Sequence, residues 1–329
     1  MRISKEIEAL IHAGPLKVGR DYSFNSFRVT GSWRGIISGV QILPPPDHAP
    51  RANAKIADHP FILEFPLKET DCWPVTNHRR RREHRNLTLL LNVLLAGHTS
   101  FQSQRSAHFW AKVPLDDGCH KIKWVQQFFI VEGWEAVTSE HSPPADEQLE
   151  EVEPEEYYFK VGNDGKGLRV PSDLDQSICC YKALSEENRA KFDRATFWME
   201  MASRQWNTSV SVSFAALVSA IESLTERGAR HQFDCPACGK RAEHEVPGVI
   251  RRFKDFFDTY APGAGLEKRR DDMYKLRSGI SHGGELMQLD QDLDFGWEPP
   301  SQTESELHRE LWSLTQIALR NWLKNPPII

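Results

Sequence analysis

The feature that most constrains this chain of 329 residues is an acidic segment near its middle, residues 140–156. It holds eight acidic residues and three prolines, and it has no lysine or arginine. A segment of this composition repels itself and has little apolar surface to bury, so the sequence predicts a loop or linker there. The chain is also longer than the usual single domain. We therefore expect two domains, one on each side of the acidic segment.

The residues before this segment favour strands. Short β-branched and aromatic runs stand between turn residues: RGIISGVQIL (34–43), HPFILEF (59–65), HFWAKVPL (108–115) and KIKWVQQFFIVEGW (121–134). One helix interrupts them, and we expect it to begin in the basic run HRRRREHR (78–85). Residues 1–139 are thus predicted to form a mixed, strand-rich domain. Residues 140–184 are predicted to be a linker that ends in a hairpin, YYFKVGNDGKGLRV, with its turn at 163–165.

After residue 185 the apolar spacing becomes helical and predicts four amphipathic helices. Ser185 is the expected N-cap of the first, and Gly228 the expected C′ residue of the second. Ser301 and Glu304 are expected to form a capping box at the start of the fourth. The fold class predicted is α+β: a β-rich mixed N-terminal domain, then an all-α four-helix bundle over residues 185–329.

Charge and cysteine content limit the classes of function. The net charge of −5 argues against a general nucleic-acid binder, so any RNA contact would use a local basic patch. The N-terminus has no continuous apolar region of a secretory signal, and the apolar run LTLLLNVLLAG (87–97) is too short to span a bilayer. Six cysteines without a secretion signal favour reduced thiols or metal ligands. The sequence predicts a cytoplasmic protein with no membrane partner.

The third helix carries an arginine and a histidine that suit phosphoryl chemistry, in YKLRSGISHGG (274–284). Arg277 and His282 are five residues apart, about 140° round an ideal helix. Gly283 and Gly284 can end the helix there and expose the histidine. An exposed histidine exchanges a proton near neutral pH, and an arginine holds a phosphate oxygen.

The alternative interpretation is an ordinary helix end, with Arg277 bonded to a carboxylate such as Asp271 or Asp272. Spacing alone does not decide between the two, because short motifs occur often by chance. Arg79 and His84 repeat the same R-x4-H spacing inside the basic run.

Two segments, YKLRSGISHG (274–283) and FAALVSAIESL (214–224), together with the order of four helices, resemble the HEPN superfamily. They are most similar to its Apea-like branch, which is associated with bacterial anti-phage defence, and the resemblance covers about residues 185–324. It implies a helical bundle that forms a homodimer, an active site shared by two protomers, and toxin-like ribonuclease activity without a catalytic metal. The domain ahead of it would sense a regulatory or phage-derived trigger.

Residue by residue, the resemblance implies that His282 is the general base or acid when a ribose 2′-OH attacks the adjacent phosphate. Arg277 would stabilise the negative charge that develops on that phosphate. Ser278 occupies the polar position after the arginine, and Tyr274 and Glu222 would orient the pair. The alternative is a non-catalytic HEPN module in which Arg277 and His282 bind nucleotide or RNA, or hold a dimer.

A second motif, CPACG (235–239), forms the tight turn that points two thiolates at one metal, for which zinc is the usual occupant. The candidate ligands of a compact structural site are Cys235, Cys238, His231 and His244. Cys179 and Cys180, or ligands from a second chain, are alternatives, as is a metal-free loop with free thiols or a redox pair. No glutamate stands in a zincin pattern, so no cofactor is expected for catalysis.

The basic run 78–85 also allows two interpretations. It can contact RNA phosphates, or it can be a solvated helix face that pairs with the acidic segment, and charge runs more often form solvated faces. A DNA-binding regulator built on the CPACG motif is the weakest alternative, because one such knuckle provides no recognition helix.

Overall fold

The computed structural model describes residues 16–46, 59–101, 108–114, 120–126, 134–160, 167–206, 208–226, 228–234, 237–238, 241–263, 267–291 and 299–327. The chain divides into two compact units, Met1–Gln176 and Ser177–Ile329. The mixed α+β composition that the sequence predicts is confirmed, with an antiparallel sheet in the first unit and mostly helices in the second. None of the described helices has both the length and the apolar character needed to cross a bilayer.

In chain order the first unit contains β1 (Leu16–Asn25), β2 (Trp33–Arg34), β3 (Gln41–Leu43), β4 (His59–Lys68), α1 (Trp73–Leu94), β5 (Thr99–Ser100), β6 (His108–Pro114), β7 (His120–Gln126), β8 (Val137–Thr138), β9 (Glu151–Val152), α2 (Pro154–Lys160), β10 (Val170–Pro171) and the start of α3 (Leu174–Ala183). The main sheet has the order β2-β3-β4-β1-β5, and β8 also pairs with β1. The predicted strand runs 59–65 and 108–115 are confirmed at β4 and β6. Run 34–43 is strand only at its two ends, in β2 and β3, and run 121–134 is strand over β7, with 127–133 outside the described residues, whereas β1 is not predicted.

Strand β4 provides much of the sheet's core, because Phe61, Leu63 and Phe65 alternate along it and are completely buried. Glu64 lies between them and is also completely buried. Its carboxylate pairs with Arg20 Nη2 at 3.1 Å and accepts hydrogen bonds from Ser142 Oγ and N at 2.6 and 2.9 Å. A buried carboxylate needs such partners to offset its desolvation.

Ser142 belongs to the acidic segment, which is part of the first unit and not a linker. Leu149 is buried and its N–H donates to the Ser32 carbonyl at 2.8 Å, while Trp33 Nε1 donates to the Glu151 carboxylate at 3.1 Å. The linker prediction is wrong because it weighed the segment's charge and not its backbone and its few apolar residues. The predicted hairpin is also corrected: Tyr157 lies in helix α2, and the turn at 163–165 is outside the described residues.

Helix α1 begins at Trp73 with a proline in its first turn, so the basic run lies inside the helix and not at its start. One face of the run is buried. There Arg80 Nη1 donates to the Arg20 carbonyl at 3.1 Å and pairs with the Asp21 carboxylate, and His84 Nε2 lies 2.8 Å from Ser23 Oγ. The other face is exposed and carries Arg81, Arg82 and Arg85. The interpretation of the basic run as a solvated helix face thus holds for one side of the run, and its other side is buried against the sheet.

The second unit contains the rest of α3, then α4 (Glu186–Gln205), α5 (Val210–Glu222), β11 (Ala229–Asp234), β12 (Arg241–Val246), α6 (Val249–Tyr260), α7 (Glu267–Ser281), α8 (Gln288–Gln291) and α9 (Pro299–Lys324). The four predicted helices correspond to α4, α5, α7 and α9. Helix α4 starts as predicted, because Ser185 Oγ accepts the N–H of Asn188 at 3.3 Å. Helix α6 is an additional helix that was not predicted.

Helix α6 buries Phe253, Phe256 and Phe257 in the core of this unit. The described part of the unit thus has five helices longer than ten residues, one more than the predicted bundle. On α4, the ring of Phe192 stacks on that of Trp322 in α9 with centroids 5.8 Å apart. Aromatic pairs of this kind add to the stability that their burial supplies.

Two helix ends in this unit differ from the prediction. Helix α5 ends at Glu222, so Gly228 is not its C′ residue. Helix α9 begins at Pro299, which places Ser301 and Glu304 inside the helix, where they cannot form the predicted capping box. Glu304 instead accepts the backbone N–H of Gln288 at 2.6 Å, a bond to another helix that the local sequence does not indicate.

Candidate functional site

Helix α7 ends on a glycine, and this ending exposes His282. Gly283 has a φ of 71°, in the left-handed region that glycine enters at low cost. Its N–H donates to the Ile280 carbonyl at 3.1 Å, and that of Gly284 donates to Gly279 at 2.9 Å, the two bonds of a Schellman motif. His282 therefore occupies the C-cap position. Its ring is exposed and has no hydrogen-bond or ion-pair partner among the described residues.

The segment that follows His282 is hydrogen-bonded to the N-terminus of α5. The Met287 N–H donates to Ser211 Oγ at 2.8 Å. The Asp290 carboxylate accepts the N–H groups of Val210 and Ser211 at 2.9 and 2.8 Å and the Ser209 hydroxyl at 2.7 Å. Burial alone would raise the pKa of Asp290, but these hydrogen bonds hold that pKa below its ordinary value. The anchored carboxylate limits how far the segment that follows His282 can move.

Arg277 pairs with a carboxylate that lies on a different helix. Its Nη2 donates to Glu222 Oε2 at 2.6 Å, and the hydroxyl of Tyr274 donates to Glu222 Oε1 at 3.0 Å. The guanidinium also lies 5.6 Å from the centre of the Tyr274 ring. The alternative partners Asp271 and Asp272 are thus corrected to Glu222; the carboxylate of Asp271 pairs with Lys254. We call Glu222, Tyr274 and Arg277 the acidic–basic cluster.

Tyr274 remains a hydrogen-bond donor in this cluster. Burial and then the negative charge of Glu222 raise the pKa of Tyr274 to about 12, although the nearby cations Arg277 and Arg252 oppose that rise. The hydroxyl is therefore protonated at neutral pH. Because Glu222 receives one bond at each oxygen, its carboxylate is fixed and in turn fixes one edge of the Arg277 guanidinium.

The acidic–basic cluster opens into a depression of about 780 Å³ formed by α4, α6, α7 and the end of α5. Among the described residues of its lining, cations outnumber carboxylates: the cations are Lys191, Arg194, Arg252 and Arg277, and the carboxylates are Glu187, Glu222 and Glu226. Lys191 pairs with Glu187 at 3.1 Å and with Glu226 at 3.9 Å. The arrangement suits a ligand that carries negative charge and oxygen acceptors.

The structure brings together three of the five residues expected at the catalytic site. Arg277, Tyr274 and Glu222 are in direct contact, whereas His282 is not among the residues that line the depression. Ser278 is half-buried, and its carbonyl accepts the N–H of His282 at 3.0 Å. The basic residues of α4 and α6 cannot be assigned to this site from sequence, since nothing in their local sequence shows that these helices meet α7.

The second R-x4-H pattern has a contrasting environment. His84 is only 7% exposed, and burial lowers its pKa, while the charge of Asp21 opposes that change. Arg79 donates to the carbonyl of Lys68 at 3.1 Å. This pair therefore holds α1 against the sheet of the first unit. The same spacing gives a buried structural histidine in one place and an exposed histidine in the other.

The CPACG motif lies between β11 and β12, which pair in antiparallel fashion. The register pairs His231 with His244 across the two strands. Cys238 is exposed, and Cys235 lies outside the described residues. Cys179 and Cys180 are adjacent on α3, about 100° apart round the helix, which makes them a poor chelating pair. Among the described residues no group of three or more metal-binding side chains is found.

Comparison of this chain with family models, with curated proteins and with solved structures finds no match.

Proposed function

We propose that the second unit is an endoribonuclease of the HEPN type that needs no catalytic metal. The observation that supports this proposal best is the environment of His282, which is exposed at a helix end about one and a half turns beyond Arg277. A general acid or base must reach a proton on its substrate, so it has to be accessible. His84, at the same spacing from Arg79, is buried and cannot serve in this way.

In the proposed reaction His282 takes the proton from a ribose 2′-OH, and the 2′-oxygen attacks the adjacent phosphorus. Arg277 balances the extra negative charge on the phosphate oxygens. Its bond to Glu222 uses Nη2, so Nη1 can still donate to a phosphate. Tyr274 and Glu222 hold the guanidinium in place. The bond to the 5′-oxygen of the next nucleotide breaks, and that oxygen takes up a proton from water while His282 returns its proton to solvent, leaving a 2′,3′-cyclic phosphate and a 5′-hydroxyl.

We further propose that the active form is a homodimer. The depression that contains Arg277 is not lined by His282 of the same chain. A two-fold axis near the end of α7 would bring His282 of a second copy towards that depression. Most soluble oligomers have such a closed two-fold symmetry, in which each subunit supplies the same group to the other.

A non-catalytic scaffold is the second candidate function, and it too has an observation in its favour. The bonds from Arg277 and Tyr274 to Glu222 join α7 to α5, as a purely structural ion pair would. In that case the depression would bind nucleotide or RNA, or would contribute to a dimer, without any cleavage.

The two candidates differ in the ends of the RNA that they leave. Incubation of the purified chain with single-stranded RNA in excess EDTA is expected to give fragments with 2′,3′-cyclic phosphate and 5′-hydroxyl ends. The matched control is the same RNA with every 2′-OH methylated, which lacks the attacking group and should remain intact. Intact unmodified RNA favours the scaffold, and 3′-hydroxyl products rule out the proposed mechanism.

We also propose that the hairpin of β11 and β12 holds a structural zinc through Cys235, Cys238, His231 and His244. The pairing of residues 231 and 244 across the hairpin supports it, because two of the four candidate ligands then stand at the same level of neighbouring strands. Purified protein is then expected to carry about one zinc per chain, measured by atomic emission. Cys235→Ser should lose most of it, whereas Cys72→Ser, at an exposed cysteine of the first unit, should not. Equal zinc in wild type and Cys235→Ser would contradict the assignment.

The location of the protein, its biological role and the role of its first unit remain predictions from the resemblance to the HEPN superfamily. They comprise a cytoplasmic location, a toxin-like role in anti-phage defence, and a first unit that responds to a regulatory or phage-derived trigger. The packing of the acidic segment into the first unit is compatible with a sensing domain of that kind, since the described residues up to Gln176 belong to one compact unit that could bind a trigger.

A further inference from the structure

The depression beside Arg277 carries a group of arginines from three different helices. Arg194 lies on α4, Arg252 on α6 and Arg277 on α7, and all three border the same opening. Residues 194, 252 and 277 are far apart in sequence, so only the fold brings these guanidinium groups together. Planar guanidinium groups match phosphate oxygens in pairs, and a group of them around one cavity favours a ligand with several phosphates.

The carboxylates of the depression do not cancel this positive charge. Glu222 is engaged by Arg277, and Glu187 and Glu226 lie against Lys191. Among the described residues of the lining, four cationic side chains face three carboxylates, which leaves a surplus of positive charge in a concave site. A concave site of one sign concentrates its field on an oppositely charged ligand.

Arg194 and Arg252 differ in how they are held. Arg194 is exposed and has no hydrogen-bond or ion-pair partner among the described residues. Arg252 is half-buried, with Nη1 3.5 Å from the carbonyl of Pro247, and its charge is close enough to Tyr274 to oppose the rise in that residue's pKa. One arginine is thus free to move to a ligand, and the other is already placed beside the acidic–basic cluster.

We propose that Arg194 and Arg252 bind the phosphates of a single-stranded RNA that flank the phosphate held by Arg277. This inference rests on the proposed ribonuclease function and names its substrate as single-stranded. The depression of about 780 Å³ has the size of an ordinary small-ligand cleft, large enough for one or two nucleotides and too small for a duplex. Among the described residues that line it, the one aromatic side chain is that of Tyr274, which is 6% exposed, so its ring offers no surface for base stacking. Recognition is therefore of the backbone and tolerant of sequence.

Salt dependence of RNA binding tests this assignment without any need for cleavage. The probe is a fluorescently labelled single-stranded RNA of twelve nucleotides, titrated with the His282→Ala chain so that it stays intact. Adding Arg194→Gln or Arg252→Gln is expected to weaken binding about three- to tenfold at low salt and to reduce the slope of log K against log salt by about 0.7 each. Arg251→Gln is the matched control, because Arg251 lies next to Arg252 on α6 but outside the depression and pairs only with Asp255 in the described chain.

Two further probes identify the ligand. Single-stranded DNA of the same sequence is expected to bind with a similar slope, and a duplex RNA of the same length to bind at least tenfold more weakly. The inference is overturned if Arg194→Gln and Arg252→Gln leave the RNA affinity and the salt slope unchanged, as Arg251→Gln should. It is also overturned if duplex RNA binds as tightly as single-stranded RNA and loses affinity equally when either arginine is replaced. If Arg252→Gln lowers the melting temperature, the test rests on Arg194→Gln, because Arg194 is exposed and its replacement should not disturb the fold.

The binding result and the cleavage result can fail separately. If wild type does not cleave RNA but the two arginines set the salt slope, the ribonuclease proposal fails and the single-strand site stands. If wild type cleaves RNA but neither arginine changes the slope, the ribonuclease stands and this assignment of its RNA contacts is wrong.

Discussion

Replacement of His282 by alanine is expected to lower RNA cleavage by about 10²–10⁴-fold and to leave the melting temperature unchanged. The loss follows because a positioned acid or base contributes that much to proton transfer. Stability should be unaffected because the ring is exposed and contacts no described residue through a hydrogen bond or ion pair. Initial rates on a labelled single-stranded RNA give the first quantity, and thermal unfolding followed by circular dichroism gives the second.

The control for this variant is His78→Ala, which removes an exposed histidine from the basic run of α1. This variant should keep the wild-type cleavage rate. That result would show that the loss in His282→Ala is specific to His282 and does not follow from removing any exposed histidine. In cells, phage plating efficiency should rise with the His282→Ala chain and not with the His78→Ala chain. If the His282→Ala protein cleaves RNA at the wild-type rate, His282 is not the catalytic acid or base.

The ending of α7 could be predicted because it is local. A glycine after the last helical residue lowers the cost of the left-handed conformation, and Gly283 adopts it. Gly228 was assigned the same role from the same residue type, but α5 had already ended at Glu222. A Cβ on Gly228 would meet the carbonyl oxygen of Pro247, so this glycine allows a close approach of two backbone segments. Residue type alone does not separate these two uses of glycine.

The features that the sequence analysis missed depend on contacts between distant residues. The acidic segment supplies the two hydrogen bonds from Ser142 that buried Glu64 requires, and Glu64 precedes Ser142 by 78 residues. Helix α6 is a different case, since Phe253, Phe256 and Phe257 have helical spacing that was present in the sequence. Arg194 and Arg252 gave no local signal, because their importance comes from the meeting of α4 and α6 with α7.

The second large effect is expected at Arg277. Arg277→Gln should lower cleavage by about 10²–10³-fold, because glutamine cannot balance the charge that develops on the phosphate. It should also cost about 1 kcal/mol of unfolding free energy, since Glu222 loses its ion pair while only 22% of its side chain is exposed. Cleavage rates and urea unfolding measure the two losses independently.

Two variants separate the chemical role of Arg277 from its structural one. Adding Glu222→Gln to Arg277→Gln removes the unpaired carboxylate, so stability should recover while cleavage stays low. Arg269→Gln is the matched control, because Arg269 also lies on α7 and pairs with a glutamate, Glu310, at 2.5 Å outside the depression. It should lose a similar amount of stability and keep its cleavage. Recovery of cleavage in the double variant would assign Arg277 to the scaffold function.

Mixing the two inactive proteins extends this prediction to the homodimer. If Arg277 of one copy works with His282 of the other, a dimer of one Arg277→Gln chain and one His282→Ala chain contains one intact site and one doubly defective site. After exchange of subunits at equal concentration, about a quarter of wild-type cleavage is expected, because half of the dimers are mixed and each has half the sites. A site built within one chain gives no recovery, since every site in the mixture then lacks one group. The position of His282 outside the lining of the depression leads us to expect recovery.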